Sequence, residues 1–387
     1  MGKKSNYERR RQGAPEDGAA VGKRGKSRIG RVAGRILLVL FTTVFVAAGT
    51  LALTLNMICN GPSVAARELF VTTVLESGQL KFVASLFLSS EEINEIVNKT
   101  SMEQMNTDID KSLISVEPSQ EGSDKTEDEA GGEEDNYDEN GIELIEISGR
   151  TFYAKLMIVK EPSKLKLATT YPWSEYGVNL DELVKNSGAV AGVNGGLYQS
   201  AGNKGGSPLG VVVSEGEILY NEPEGWKGLY MIGFDDSDIL QVINIEGQTR
   251  EGLEKLIREK GIRDAVAFQD EVSDINNHFV PLVINGEARE LKGQGSGANP
   301  RTAIGQRADG SVLLLVTDGR GAAGHLGATA SDLISIMLEY GAVNAANLDG
   351  GSSSCMYYND NYEMTSVTLY YANSSWRLPT AFVVEGR

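Results

Sequence analysis

Twenty-three consecutive residues without a charge, Ile36 to Ile58, constrain this chain more than anything else in it. A helix rising ~1.5 Å per residue over that length exceeds the ~30 Å of a bilayer's hydrocarbon layer, so the run is expected to be a transmembrane helix. Residues 1–35 carry eleven basic and three acidic side chains, a net +8; with −17 for the whole chain, everything after residue 35 carries −25. Positive flanks stay in the cytoplasm, which places the N-terminus inside and residues 59–387 outside, on a single-pass cell-membrane protein. A cleaved signal peptide fits less well: the basic region is long, the apolar run exceeds ~15 residues and no clear A-x-A site follows.

Past the anchor, residues 59–116 hold apolar positions at roughly helical spacing, including Leu69, Phe70, Val74 and Val83, and read as a helical stalk. Residues 117–141 are densely acidic and almost free of apolar side chains, the composition of a flexible linker. Residues 142–387 then suit one α+β domain with a mixed or antiparallel sheet and flanking helices. Within it, Asn179 is expected to cap a helix through Leu180, Leu183 and Val184, followed by a buried strand from Ala189 to Val193. Val211–Val213 with Ile218–Tyr220, and Thr302–Gln306 with Val312–Val316, read as antiparallel pairs. Thr329 with Asp332 opens another helix, which Gly341 ends before a core strand from Val343 to Leu348.

The two histidines, His278 and His325, have no metal-ligand spacing around them, and the two cysteines, Cys59 and Cys355, make no disulfide framework. No metal, cofactor or nucleic-acid partner is expected. Cys355 reads as a small core residue, and Ser352 to Ser354 lack the GxSxG context of a hydrolase nucleophile. Four stretches remain that join glycine to polar groups at strand ends: VNGGLY (193–198), NPRTAIG (299–305), TDGR (317–320) and NLDGGSSS (347–354). Glycine lets a ligand approach the backbone, and strand ends present side chains from a rigid scaffold. Each stretch alone is an ordinary turn sequence; their combination and order are specific.

In that order, the four stretches resemble the phosphodiester glycosidase family over residues 189–387. The chain departs from the family pattern at Ser352, where a third glycine often stands, and in the loop GHLGATA, which holds His325. The resemblance implies cleavage of a sugar 1-phosphodiester, with an envelope glycan or exopolysaccharide as substrate. It implies Arg301 and Arg320 on the phosphate, beside Thr302, and Asp349 or Asp318 as the carboxylate that stabilises an oxocarbenium-like centre or activates water. It further implies Asn194 and Asn347 on sugar hydroxyls, and Ser352 and Ser353 with the Gly350 and Gly351 amides near phosphate. Asp349 is favoured, because it follows a core strand and precedes two glycines. The bland readings stand beside these: the arginines as ion-pair glue to Asp318 or Asp349, Asp318 as a turn residue, His325 as a loop residue, and the whole domain as a non-catalytic module binding glycan or polyanion.

Overall fold

The computed structural model describes residues 28–77, 80–116, 136–199, 202–272, 277–366 and 374–387. Most of the expected acidic linker and basic tail lies outside these residues. The chain divides into two compact units, 1–55 and 56–387. Helix α1 (Arg28–Asn60) is long and apolar enough to cross a membrane, with a mean hydropathy of 2.5 over its most apolar window, and Leu37, Phe41 and Phe45 are exposed along it.

The second unit is antiparallel throughout its named strand pairs, in three larger sheets. The first sheet runs, in spatial order, through strands 142–148, 153–159, 312–317, 302–307, 342–347, 281–284 and 287–288. The second runs through 361–365, 355–358, 189–194, 380–385 and 165–169, and the third through 240–244, 229–235, 262–269, 210–214 and 217–222. One cluster of buried side chains joins the inner faces of all three, among them Met157, Val193, Phe234, Val266, Leu314 and Phe382. Such a core explains the near-continuous apolar run in Val312–Val316, whose outward residues are buried too.

Each sheet's outer face is covered by one helix. Leu333, Ile336 and Met337 of α7 (Ala330–Glu339) pack on the first sheet, Leu180, Leu183 and Val184 of α5 (Leu180–Asn186) on the second, and Leu253 and Ile257 of α6 (Arg250–Lys260) on the third. The Thr329–Asp332 capping box at α7 is formed, each residue's side chain bonding the other's backbone N–H. Asn179 stands at the N-cap of α5, but its side chain accepts no helix N–H, and its amide donates to Ser374 Oγ.

Residues 64–116 also lie on this unit. Helices α2 (Val64–Leu75), α3 (Phe82–Ser85) and α4 (Ser90–Lys99) share a small core that includes Cys59. The chain then runs as a strap: Met102 enters the core beneath α7, Tyr230 donates to the Met105 carbonyl at 3.1 Å, Lys111 pairs with buried Asp235 at 2.6 Å, and Ser115 N–H reaches the Ala308 carbonyl.

The second and third sheets approach each other through the Asn-Gly-Gly turn. A Cβ on Gly196 would lie 2.5 Å from the Ala267 carbonyl oxygen and 2.6 Å from Val266 Cβ. Since this contact is with backbone, Gly196→Ala is expected to cost about 1–3 kcal/mol. Urea unfolding should show it as a lower midpoint.

Candidate functional site

The four motifs converge where the first sheet hands the chain to the second. Strands 302–307 and 342–347 are neighbours, with Ala303 opposite Asn347, and residues 348–354 cross from the latter to strand 355–358 beside strand 189–194. At that crossing sits Asn194, completely buried. Its Nδ2 donates to the Asp349 carbonyl at 2.7 Å, and its Oδ1 accepts from Thr302 Oγ1 at 2.7 Å and from Cys355 N–H at 3.2 Å. Asn194 and Thr302 are therefore bonded to the chain itself, tying three motifs together. Asn347 is also buried; its Nδ2 donates to the Phe279 carbonyl, while its Oδ1 has no partner among the described residues.

Asp349 is half-buried at the crossing. Its Oδ1 accepts from Gly350 N–H at 2.9 Å, and its neighbour Ser353 lies 2.9 Å from the Tyr198 hydroxyl. Burial pushes the carboxyl from the ordinary 3.8 up to about 6, against the opposing pull of the Ser353 hydroxyl, the Gly350 amide and Arg320. Tyr198 itself is pushed well above its usual value, first by burial and then by the Asp349 charge, so it serves as a neutral hydroxyl.

Arg320 reaches the same loop from the other side. It has a left-handed backbone, with φ of 54°, and its Nη1 donates to Ser352 Oγ at 2.6 Å. Gly351 has φ of 63°, and a Cβ there would fall 2.6 Å from Arg320 Nη2, so the guanidinium lies directly on the glycine. A Cβ on Gly350 would come within 3.0 Å of the Pro300 carbonyl, which already accepts from Gly351 N–H. The glycines thus let the Asp349 loop settle between Arg320 and the Pro300–Arg301 backbone. Desolvation lowers the Arg320 pKa, and the charge of Arg301 lowers it further while Asp349 raises it, so two guanidiniums and a carboxylate share one field.

Asp318 stands apart from this group. Its Oδ1 accepts from Tyr153 N–H of strand 153–159 at 2.7 Å and its Oδ2 lies 2.7 Å from His325 Nδ1 within the loop that carries Arg320, so both oxygens are occupied. Arg301 is buried, with its guanidinium 4.8 Å from the Phe279 ring centroid and ion-paired to Glu76. Glu76 was invisible as a site candidate because its partners lie more than 220 residues away. His278 also escaped: its Nδ1 is buried with no hydrogen-bond partner among the described residues, and burial, with the charges of Lys81 and Arg301, pushes it down to about 4. Among the described residues, no three His, Cys, Asp or Glu side chains are grouped as a metal site.

The profile of the phosphodiester glycosidase family matches residues 187–385, just over half of the chain and all four motifs. The chain belongs to that family of hydrolases. It is 29% identical over 174 residues to the SPbeta prophage-derived uncharacterized protein YomE of Bacillus subtilis, a stretch that covers 44% of this chain and 24% of that one. The chain thus spans about a quarter of the length of that relative. Among solved structures it is similar to the catalytic domain of zebrafish N-acetylglucosamine-1-phosphodiester alpha-N-acetylglucosaminidase, auto-inhibited by its pro-peptide, with 18% identity, a TM-score of 0.48 and coverage of 64% of this chain and 82% of that one. A hypothetical protein from Synechocystis aligns at 16% identity and a TM-score of 0.40, covering 64% of this chain and 61% of its own.

The raised Asp349 pKa has a sign that stability can report. Between the ordinary 3.8 and the folded value near 6, the folded chain holds the proton longer than the unfolded chain, so ionising Asp349 weakens the fold. This cost is absent below pH ~4, grows through that interval and is complete above it, reaching about 2–3 kcal/mol. Asp349→Asn should therefore raise the melting temperature by several degrees at pH 7.5 and leave it unchanged near pH 4, as calorimetry can show.

Proposed function

We propose that this chain is a membrane-anchored, extracytoplasmic hydrolase that cleaves a sugar 1-phosphodiester in an envelope glycan or exopolysaccharide. The observation that carries the reading is the meeting of Asp349, desolvated yet able to ionise near pH 6, with Arg320 and Arg301. The anchor and its orientation rest on the apolar run of α1 and on the +8 of residues 1–35.

In this reading the bond that breaks joins the anomeric carbon to the phosphate oxygen. A phosphate monoester leaves as a stable anion, so proton donation matters less than for an ordinary glycoside. Arg320 receives the leaving oxygens, with Arg301 adding positive charge behind it and the Ser352 hydroxyl fixing Arg320 at its rim. Ionised Asp349 faces the anomeric centre, where it stabilises developing positive charge and accepts the proton of the incoming water. The Tyr198–Ser353 hydroxyl pair, the Gly350 amide and the Asn194 clamp on the Asp349 carbonyl hold that carboxylate in place. Asn194 and Thr302 act here as clamps within the scaffold. Asp318 acts through His325 and Tyr153 to shape the Arg320 loop.

The test uses the full chain in detergent micelles with a panel of sugar 1-phosphodiesters, following release of the phosphate monoester. Turnover is expected, reduced about a hundredfold or more in kcat by Asp349→Asn. Binding without turnover on every member of the panel would replace the enzyme by a glycan- or polyanion-binding module.

The pH profile gives a separate check. Because Asp349 acts ionised, kcat/KM should fall on the acid side with an apparent pKa near 6. The Arg320 charge holds that value down, so in Arg320→Ala the acid limb should move to higher pH while KM rises. An acid limb that stays in place would remove Asp349 as the titrating group.

A further inference from the structure

We infer that Glu76, supplied by the helical segment before the family-matched region, is a positioning residue for Arg301 and therefore part of this enzyme's site. The inference rests on the reading that Arg301 adds its charge to phosphate binding. Glu76 follows directly on α2, and its side chain is only 2% exposed. Its carboxylate accepts from Gly297 N–H at 2.6 Å and from Asn299 Nδ2 at 3.0 Å, and pairs with Arg301 Nη2. Three donors of one loop thus converge on a single carboxylate.

α2 docks closely on that loop through Thr73. Thr73 Oγ1 accepts from Ala298 N–H at 3.0 Å, and a Cβ on Gly297 would lie 2.3 Å from Thr73 N. Thr73 and Glu76 together bond residues 297, 298, 299 and 301.

The guanidinium is oriented by what it has already spent. Nη2 also donates to the Gly297 carbonyl at 2.8 Å and to Ser296 Oγ, and Nε donates to the Ala328 carbonyl. Nη1 makes no hydrogen bond among the described residues. The carboxylate therefore anchors the nitrogen that the loop also holds and leaves Nη1 for a ligand. It also compensates a buried charge that would otherwise stand beside Arg320 with only Asp349 to offset the pair. Geometry held by such an anchor affects the chemical step more than ground-state binding, because a misplaced group can cost up to about a hundredfold.

The experiment compares the full chain in micelles with Glu76→Gln and Glu76→Asp, measuring kcat and KM on the best substrate of the panel and, by calorimetry, the binding of inorganic phosphate. Glu76→Gln keeps shape and removes charge, so phosphate should bind about three- to tenfold tighter while kcat falls about tenfold or more. Glu76→Asp keeps the charge and withdraws it by one methylene. It should lower kcat several-fold with phosphate affinity unchanged, and it decides the matter if Glu76→Gln does not fold.

A kcat unchanged in a folded Glu76→Asp chain, with only the melting temperature lowered, would make the contact structural and overturn the inference. A kcat that rises in either variant would make Glu76 an obstruction and overturn it as well. If the unaltered chain turns over no sugar phosphodiester, the function proposed above fails by itself. The phosphate titration then decides alone: equal affinity in Glu76→Gln and in the unaltered chain overturns the inference.

Discussion

The site depends on one buried amide. Asn194 has no contact with solvent, yet its donor and acceptor are both used, on the Asp349 carbonyl, the Thr302 hydroxyl and the Cys355 N–H. A buried polar group left without its partners costs about 1–3 kcal/mol, so an apolar substitute here would leave three groups of three chain segments unsatisfied at once. That cost is why a polar residue sits at the seam of two sheets. The same amide sets where the Asp349 loop leaves the first sheet, and so where the carboxylate can stand.

Glycine supplies the complementary freedom. The loop at 350–351 lies on the Pro300 carbonyl and under the Arg320 guanidinium, positions that a side chain would fill, and the turn at 195–196 lies on the Thr380 side chain and the Ala267 backbone. In each case the glycine permits an approach of one motif to another element. The motifs are therefore glycine-rich first for packing, and the openness of the site follows from that packing.

Local signals in the sequence were legible wherever the physics was local. The capping box at Thr329–Asp332, the helix through Leu180, Leu183 and Val184, and both antiparallel pairs stand where periodicity and turn chemistry put them. The α+β class with antiparallel pairing also follows from these elements. What was not legible is their division among three sheets around one core, because that depends on which buried faces meet. The roles of individual side chains were harder still. Asn194 stood in a turn motif and gave no sign of binding two other motifs. Asp318 stood second to Asp349 as a candidate carboxylate, and the structure gives both its oxygens to Tyr153 and His325. Glu76 is one acid among many in an acidic chain, and its significance lies wholly in the loop that folds onto it.

The two carboxylates beside the arginines differ in whether they are ion-paired. Glu76 is ion-paired to a guanidinium and holds two further N–H donors within a dry contact, and burial still outweighs all three and pushes its carboxyl up. Asp349 has an amide, a hydroxyl and the field of Arg320, and these do not offset its desolvation. A carboxylate paired to a guanidinium has its charge already engaged. Asp349 lies in the field of Arg320 with no ion pair among the described residues, which leaves its charge for a developing cation, and Arg320, whose charge is disfavoured by burial and by Arg301, has the matching capacity for an anion. A ligand carrying negative charge on one side and developing positive charge on the other would relieve both residues together, which is the charge distribution of a sugar phosphodiester as its anomeric bond breaks.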